Sequence, residues 1–277
     1  MKTWFITGAS RGFGALIVER VLAKGDAVVA TARNPQAVLD RFGAHPNLLA
    51  VALDVTSEEQ AIAAAQAAID RFGAIDILLN NAGFGLMGAV EEASAAEVEA
   101  VYRTNVFGLL TVTRAVLPHM RKARSGRILN ISSVGGYRGA AGFGVYSSTK
   151  FAVEGLSEAL HAELAPLGIH VTVVEPGYFR TDFLDASSLT VSPTIIADYE
   201  QTAGKVRDVA TGLHHAQPGD PAKLAKVLVE FVDAANPPLR LPLGSDTVAA
   251  IEGKHLSDKA ILDEWRAISV STDFAAD

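Results

Sequence analysis

Thr7-Gly8-Ala9-Ser10-Arg11-Gly12-Phe13-Gly14, the stretch TGASRGFG, decides the fold of this chain. A short apolar run, Thr3 to Thr7, leads into it, and Leu16, Val18, Val21 and Leu22 follow at helical spacing. The stretch therefore reads as a strand, a glycine-rich turn and a helix N-terminus. Backbone N–H groups at the positive end of a helix dipole suit a pyrophosphate, and glycines let it approach the backbone closely. The spacing Gly8, Gly12, Gly14 is wider at its first step than the usual dinucleotide fingerprint, but its place at the first strand–helix junction adds weight. Ser10 is expected to hydrogen-bond a phosphate. The same letters from Gly8 to Gly12 also spell GxSxG, a nucleophile elbow when it follows several strands and is backed by an acid and a histidine. Here only seven residues precede Gly8, so a hydrolase using Ser10 is the weaker alternative.

Beyond the turn, β-branched or apolar runs alternate with helical patterns. The runs are Thr3 to Thr7, Ala27 to Thr31, Leu48 to Leu53, Ile75 to Leu79, Arg127 to Ser132, Val171 to Glu175 and Leu239 to Leu241. This alternation predicts an α/β domain: a doubly wound parallel sheet of about seven strands with helices on both faces, spanning 1–277. Helix starts are marked by Ser57 with Gln60, by Ser94 with Glu97, and by Asp220 before Pro221. Val153, Leu156, Leu160 and Leu164 give the segment Val145 to Leu167 one apolar face, for the core or for a second subunit. The stretch 182–219 is the least regular and is expected to be a loop or lid, with His214 and His215 on its surface. A helical tail over 244–277 is expected to complete the domain.

Composition narrows the partners. Nearly half the residues are apolar, and no run approaches the ~18 apolar residues of a membrane span. A net charge of −7 disfavours nucleic acid and anionic membrane surfaces. The absence of cysteine rules out disulfides, thiolate metal sites and a cysteine nucleophile, and seven scattered histidines suggest no metal site. The first residues resemble no secretory signal, so a cytoplasmic location and a small-molecule partner are expected.

After the second run the chain reads Ala30, Thr31, Ala32, Arg33, Asn34. An acid at this point would bind the ribose 2′-hydroxyl of NAD, whereas small residues followed by arginine suit a 2′-phosphate. With Arg11 able to approach from the other side, NADP(H) is expected in preference to NAD(H).

Tyr146, Ser147, Ser148, Thr149 and Lys150 form YSSTK, which places Tyr146 and Lys150 on one helix face. A free tyrosine has a pKa of about 10, too high for easy proton exchange at neutral pH. A lysine cation at ~4 Å and an effective dielectric of ~20 would favour the phenolate by ~4 kcal/mol before desolvation acts.

Together with TGASRGFG, these residues resemble the short-chain dehydrogenases/reductases. The resemblance runs through NNAG (Asn80 to Gly83), Asn105 in TNVFG, the ISS run ending in Ser133, YSSTK, and PGYFRT from Pro176 to Thr181, in family order from Met1 to about Thr181. It implies a Rossmann-type sheet, a nicotinamide cofactor and a catalytic tetrad of Asn105, Ser133, Tyr146 and Lys150. Ser133 matches because it stands thirteen residues before Tyr146, and Ser132 would be structural or touch the cofactor. In that pattern Ser133 binds the substrate oxygen, Tyr146 gives it a proton, Lys150 binds ribose and lowers the tyrosine pKa, and Asn105 holds a water that links Lys150 to solvent.

Implied cofactor contacts are Gly8, Ser10, Arg11, Gly12, Phe13, Gly14 and Arg33; Asp54 and Val55 near adenine; Asn81, Ala82 and Gly83 near the ribose; Tyr146 and Lys150; and Pro176, Gly177, Phe179 and Thr181 near nicotinamide. Asn81 could equally brace the sheet. The tail differs from family members that end soon after the last strand in a segment that helps build tetramers, so a monomer, or a homodimer through helices around 105–123 and 145–167, is expected rather than a tetramer. Phe84, Met87, Phe143, Tyr178, Phe183 and Leu184 could line an apolar pocket for a hydrophobic ketone or alcohol, or could be core. The resulting expectation is a carbonyl reductase. A catalytically silent cofactor sensor is the alternative within the same fold, although it could have lost Tyr146 or Lys150.

Overall fold

The computed structural model describes residues 1–213 and 216–274, so the His214/His215 expectation lies outside the described residues. Seven strands form one parallel sheet: β1 (Thr3–Ile6), β2 (Ala27–Ala32), β3 (Leu48–Ala52), β4 (Ile77–Asn80), β6 (Gly126–Ile131), β7 (Ile169–Pro176) and β9 (Arg240–Leu243). Their order is β3-β2-β1-β4-β6-β7-β9, so the chain reverses its direction of winding beside β1 and β4, where open α/β sheets bind ligands. Each strand of the sheet matches one of the seven predicted runs.

Because both faces of the sheet are covered, its strands are apolar throughout rather than alternating. Trp4 and Ile6 pack on one face with α1 (Gly12–Ala23) and α8 (Pro221–Phe231). Phe5 points to the other face, onto α3 (Glu58–Phe72) and α5 (Leu109–Ala123) through Ala64, Val112, Val116 and Met120. Short α2 (Gln36–Phe42) follows β2. The Ser94/Glu97 capping box opens α4 (Ala95–Tyr102), and Asp220 accepts the Ala222 and Lys223 N–H groups before α8. Ser57 caps α3 by accepting the Gln60 N–H, but Gln60 turns its own side chain to the Asp54 N–H. On α6 (Gly144–Leu164), Val153 and Leu164 are buried and Leu160 packs against the sheet core, so this apolar face belongs to the core.

The described residues of the region 182–219 are more ordered than their composition suggested. It contains β8 (Leu189–Val191), which pairs in parallel with β5 (Gly85–Met87), and α7 (Lys205–Leu213). Its anchor is Glu92, whose side chain is fully buried. The Glu92 carboxylate accepts the Ala89 N–H at 2.7 Å and the Ile196 N–H at 2.9 Å, and pairs with Arg207 Nη1 at 2.7 Å. The Ile196 amide and then Arg207 hold its pKa down at about 2.

The tail is helical, as expected, but it packs on the domain less than expected. Helix α9 (Ser245–Val270) forms, but only its start packs on the domain: Leu256, Ile261, Leu262, Trp265 and Ile268 are all exposed. Among the described residues no helix is long and apolar enough to cross a membrane.

The depressed Glu92 pKa means that its contribution to stability is complete above the ordinary value of 4.5 and is lost as pH falls through about 2. Glu92→Gln is expected to lower the neutral-pH Tm by about 5 °C, with the gap closing over that acid window, because it removes the buried negative charge that Arg207 and the Ala89 and Ile196 N–H groups serve. An unchanged Tm, together with unchanged proteolysis of the 182–213 region, would show that Glu92 does not anchor it.

Candidate active site

The glycine-rich turn is built by close backbone approach. Gly8 has φ +64°, and a Cβ on Gly14 would stand 2.3 Å from the Gly8 carbonyl oxygen. Arg11, at the N-cap of α1, makes no side-chain capping bond, and no acid occupies the first turn, so that turn keeps its N–H groups for an anion. Thr7 and Asn81 hold the turn against the neighbouring loop. Thr7 Oγ1 accepts the N–H groups of Asn81 and Ala82 at 2.9 Å, and the Asn81 amide donates to the carbonyls of Thr7 and Gly8 at 2.8 and 3.0 Å. The Asn81 side chain is thus a brace. Beneath it, the Asn80 amide donates to Thr113 and Asn130, and Asn130 to Ser157, tying α5 and α6 to the sheet through its core.

A cavity of about 1350 Å³ runs from this turn to the carboxyl ends of β6 and β7. Its walls include Gly8, Ser10, Arg11, Gly12, Phe13, Arg33, Asp54, Val55, Asn81, Ala82 and Gly83 at one end. At the other stand Ser132, Ser133, Tyr146, Lys150, Pro176, Gly177, Phe179 and Thr181. Gly14 lies behind the turn, packed on Gly8 and Asn81. Phe13 and Phe179 meet edge to face at 5.6 Å. Arg33 faces the cavity beside Asp54, whose carboxylate is held down first by the Thr56 N–H and partly by Arg33. Arg11, which also lines the cavity, donates from its guanidinium to the Ser187 carbonyl. Among the described residues no histidine lines the cavity beside Ser10.

Tyr146 is buried, with Phe143 and Phe183 at 6.1 and 5.6 Å between ring centroids. Burial pushes its phenol above the ordinary value of 10; a hydrogen bond with Ser133 pulls it part of the way back, and Tyr178 pushes it further up. Ser133 Oγ also accepts the Gly135 N–H at 3.0 Å, which fixes the hydroxyl. Lys150 Nζ donates to the Ile131 carbonyl at 2.9 Å and lies 5.8 Å from the Tyr146 ring centroid. Burial lowers its pKa to about 8, against the pull of Glu154. Burial of the phenol therefore acts against the depression expected from a nearby lysine cation.

Asn105 sits in a π-helical turn, Arg103–Gly108, between α4 and α5. Its carbonyl accepts the Phe84 N–H at 3.0 Å, while its amide donates to the Phe84 carbonyl at 2.9 Å and to Thr149 at 3.2 Å. It joins the Gly83 loop to the helix that carries Tyr146 and Lys150.

On the substrate side Phe84, Phe143, Tyr178, Phe183 and Leu184 line the cavity, but Met87 is core, packed with Phe143, Tyr146 and Leu189. Arg138, Asp246, Ala250 and Gln217 also line it and were missed from the sequence. Gln217 is 1 % exposed and its side-chain amide has no partner among the described residues. No local pattern marks these four, because they reach the cavity from separate loops and from the start of α9.

The short chain dehydrogenase family model matches residues 2–191, and the chain belongs to that family of oxidoreductases. It is 39 % identical over 275 residues to Oxidoreductase BOA17 of Botryotinia fuckeliana (strain B05.10), covering 98 % of this chain and 99 % of the relative. It is 40 % identical over 244 residues to the 3-ketodihydrosphingosine reductase of Bacteroides thetaiotaomicron, covering 86 % of each chain. A solved short-chain dehydrogenase from Streptomyces avermitilis superposes with a TM-score of 0.91 at 42 % identity, covering 99 % of this chain and 100 % of that one. Family structures have been solved with NAD and with NADP bound.

Gly14→Ala is expected to lower Tm by several degrees, since the atom nearest the new Cβ is backbone and cannot swing aside. Gly139→Ala, which meets nothing within 4 Å, is the control and should leave Tm within about 1 °C. Equal Tm values for the two variants would show that the turn tolerates a side chain at Gly14.

Proposed function

We propose that this chain is an NADP(H)-dependent carbonyl reductase that interconverts a hydrophobic ketone or aldehyde and its alcohol. The observation that carries the reading is the convergence of the Tyr146 phenol, the Ser133 hydroxyl and the Lys150 ammonium on one wall of the cavity that begins at the uncapped glycine-rich turn.

The residues present fit the dinucleotide. The first-turn N–H groups of α1 would take its pyrophosphate, Asp54 and Val55 would flank the adenine, and Lys150 would reach the ribose hydroxyls. No acid stands at the end of β2, and Arg33 lies exposed on the cavity rim where a 2′-phosphate would come, which favours NADP(H). When bound, the nicotinamide supplies or accepts the hydride.

Each catalytic side chain then has one task. Ser133 holds the substrate oxygen while remaining hydrogen-bonded to the phenol. Tyr146, kept protonated at neutral pH by its burial, gives that oxygen a proton as the carbonyl carbon receives hydride. This protonation state suits reduction. The Lys150 cation over the ring stabilises the phenolate left behind, and Asn105 keeps the Gly83 loop at a fixed height over that helix. Phe84, Phe143, Phe183 and Leu184 supply apolar walls, which suits a substrate with an aryl or alkyl arm. The likeness to a 3-ketodihydrosphingosine reductase supports a ketone beside an apolar chain.

Two measurements test the reading. Tyr146→Phe is expected to lower turnover of NADPH with a ketone by at least about 10²-fold while leaving NADPH binding within a few-fold, and unchanged turnover would exclude the phenol as proton donor. Arg33→Glu is expected to raise the Kd for NADPH by about 10-fold or more and to leave NADH almost unaffected. Equal weakening of both would place the 2′-phosphate elsewhere.

A further inference from the structure

Behind Lys150 lies a second polar cluster that the reaction above does not use. Glu154, one helical turn beyond Lys150, and Glu175, at the end of β7, are 5 % and 0 % exposed. One guanidinium reaches both: Arg240 Nε, on β9, lies 3.2 Å from Glu175 Oε1 and 3.3 Å from Glu154 Oε2. A Cβ placed on Gly136 would stand 2.4 Å from Ser132 Oγ and 3.1 Å from both Glu154 Oε1 and Lys150 Cβ, so these three side chains surround one point. The cluster therefore joins the ends of the three elements that carry the site: β6 before Ser133, the Tyr146/Lys150 helix, and β7 before Gly177.

We propose that the buried Glu154–Glu175 carboxyl pair holds one shared proton and acts as a positioning element that sets the charge on Lys150. The charged and titratable groups around it are Lys150 and Glu158 on α6, Arg240 on β9, Tyr137 under the Arg240 guanidinium at 5.7 Å, and His255 of α9, which is hydrogen-bonded to Tyr137. Asp246 of α9 lies nearby, accepting the Tyr178 N–H at 2.8 Å. Glu158 is half exposed and bound to Arg240, which leaves that one guanidinium divided among three carboxylates.

Two buried carboxyls served by one shared cation cannot both ionise readily. Burial and the Glu154 charge push Glu175 up to about 7, and burial raises Glu154 as well. Below that point the pair carries one negative charge, which Arg240 balances. Above it the pair carries two, and the added charge favours the ammonium form of Lys150 in the range where burial alone would discharge it. The pair thus keeps Lys150 charged into mildly alkaline solution.

The test reads Lys150 directly, by NMR titration of its ¹³Cε in ¹³C-lysine-labelled full-length protein, with the resonance assigned from a Lys150→Arg sample. In Glu175→Gln the pair can carry only one negative charge, so the Lys150 midpoint is expected to fall by about one pH unit. Glu154→Gln is expected to move it the same way, and this variant decides the question if Glu175→Gln does not fold. The kinetic arm rests on the proposed reductase reading: the alkaline limb of kcat/KM should shift with the lysine midpoint. The NMR arm needs neither cofactor nor substrate, so a chain without reductase activity still answers it. A Lys150 midpoint that stays within a few tenths of a unit in the folded variants would overturn the proposal.

Discussion

A buried ammonium is the constraint around which the site is arranged. Lys150 is 6 % exposed, and taking its charge out of water costs several kcal/mol unless partners replace the lost hydration. The Ile131 carbonyl accepts its proton at 2.9 Å and Glu154 supplies opposite charge one helical turn away. To make that bond, α6 must lie against the end of β6 at a fixed height. The same height brings Tyr146, one turn earlier, beside Ser133, which directly follows β6 and Ser132. The helix is locked a second time by Asn105 through Thr149, and a third by Asn130 through Ser157. Catalytic geometry and fold stability therefore draw on the same few polar bonds in an otherwise apolar core.

The other half of the cavity depends on a different economy. Around Gly8 and Gly14 the backbone fills space that side chains would occupy, and Thr7 and Asn81 spend their hydrogen bonds holding two loops together. This leaves the first turn of α1 with N–H groups to offer an anion. The segment that contains β8 is pinned by Glu92 through Ile196 and fastened to the turn by Arg11 through the Ser187 carbonyl.

Local signals carried most of the fold. TGASRGFG, YSSTK and the seven apolar runs each span a few residues whose chemistry is readable in isolation, and the main sheet follows them closely. The signals that failed were long-range or depended on burial. Glu92 meets Ile196 and Arg207 across 104 and 115 residues, so nothing near Glu92 announces a lid anchor. The pairing of β5 with β8 has the same origin, and it decides between the two readings left open for Met87 by placing it in the core. The arithmetic for a lysine close to the phenol applies before desolvation, and the depth of burial that pushes the phenol up is visible only in the folded chain. In the sequence Glu175 only ends an apolar run and nothing marks Glu154. Only the folded chain brings them together under Arg240.

The most direct test of the central claim, that this wall of the cavity moves hydride and proton between NADPH and a carbonyl, is stereospecific isotope transfer. The purified chain would be incubated with NADPH deuterated at the nicotinamide C4, in each configuration, and with a panel of aryl and alkyl ketones, and the products read by mass spectrometry. The account predicts that one configuration delivers its deuterium to the new carbinol carbon while the hydroxyl proton comes from solvent. Recovery of unchanged ketone throughout, or alcohol without deuterium from either configuration, would contradict it.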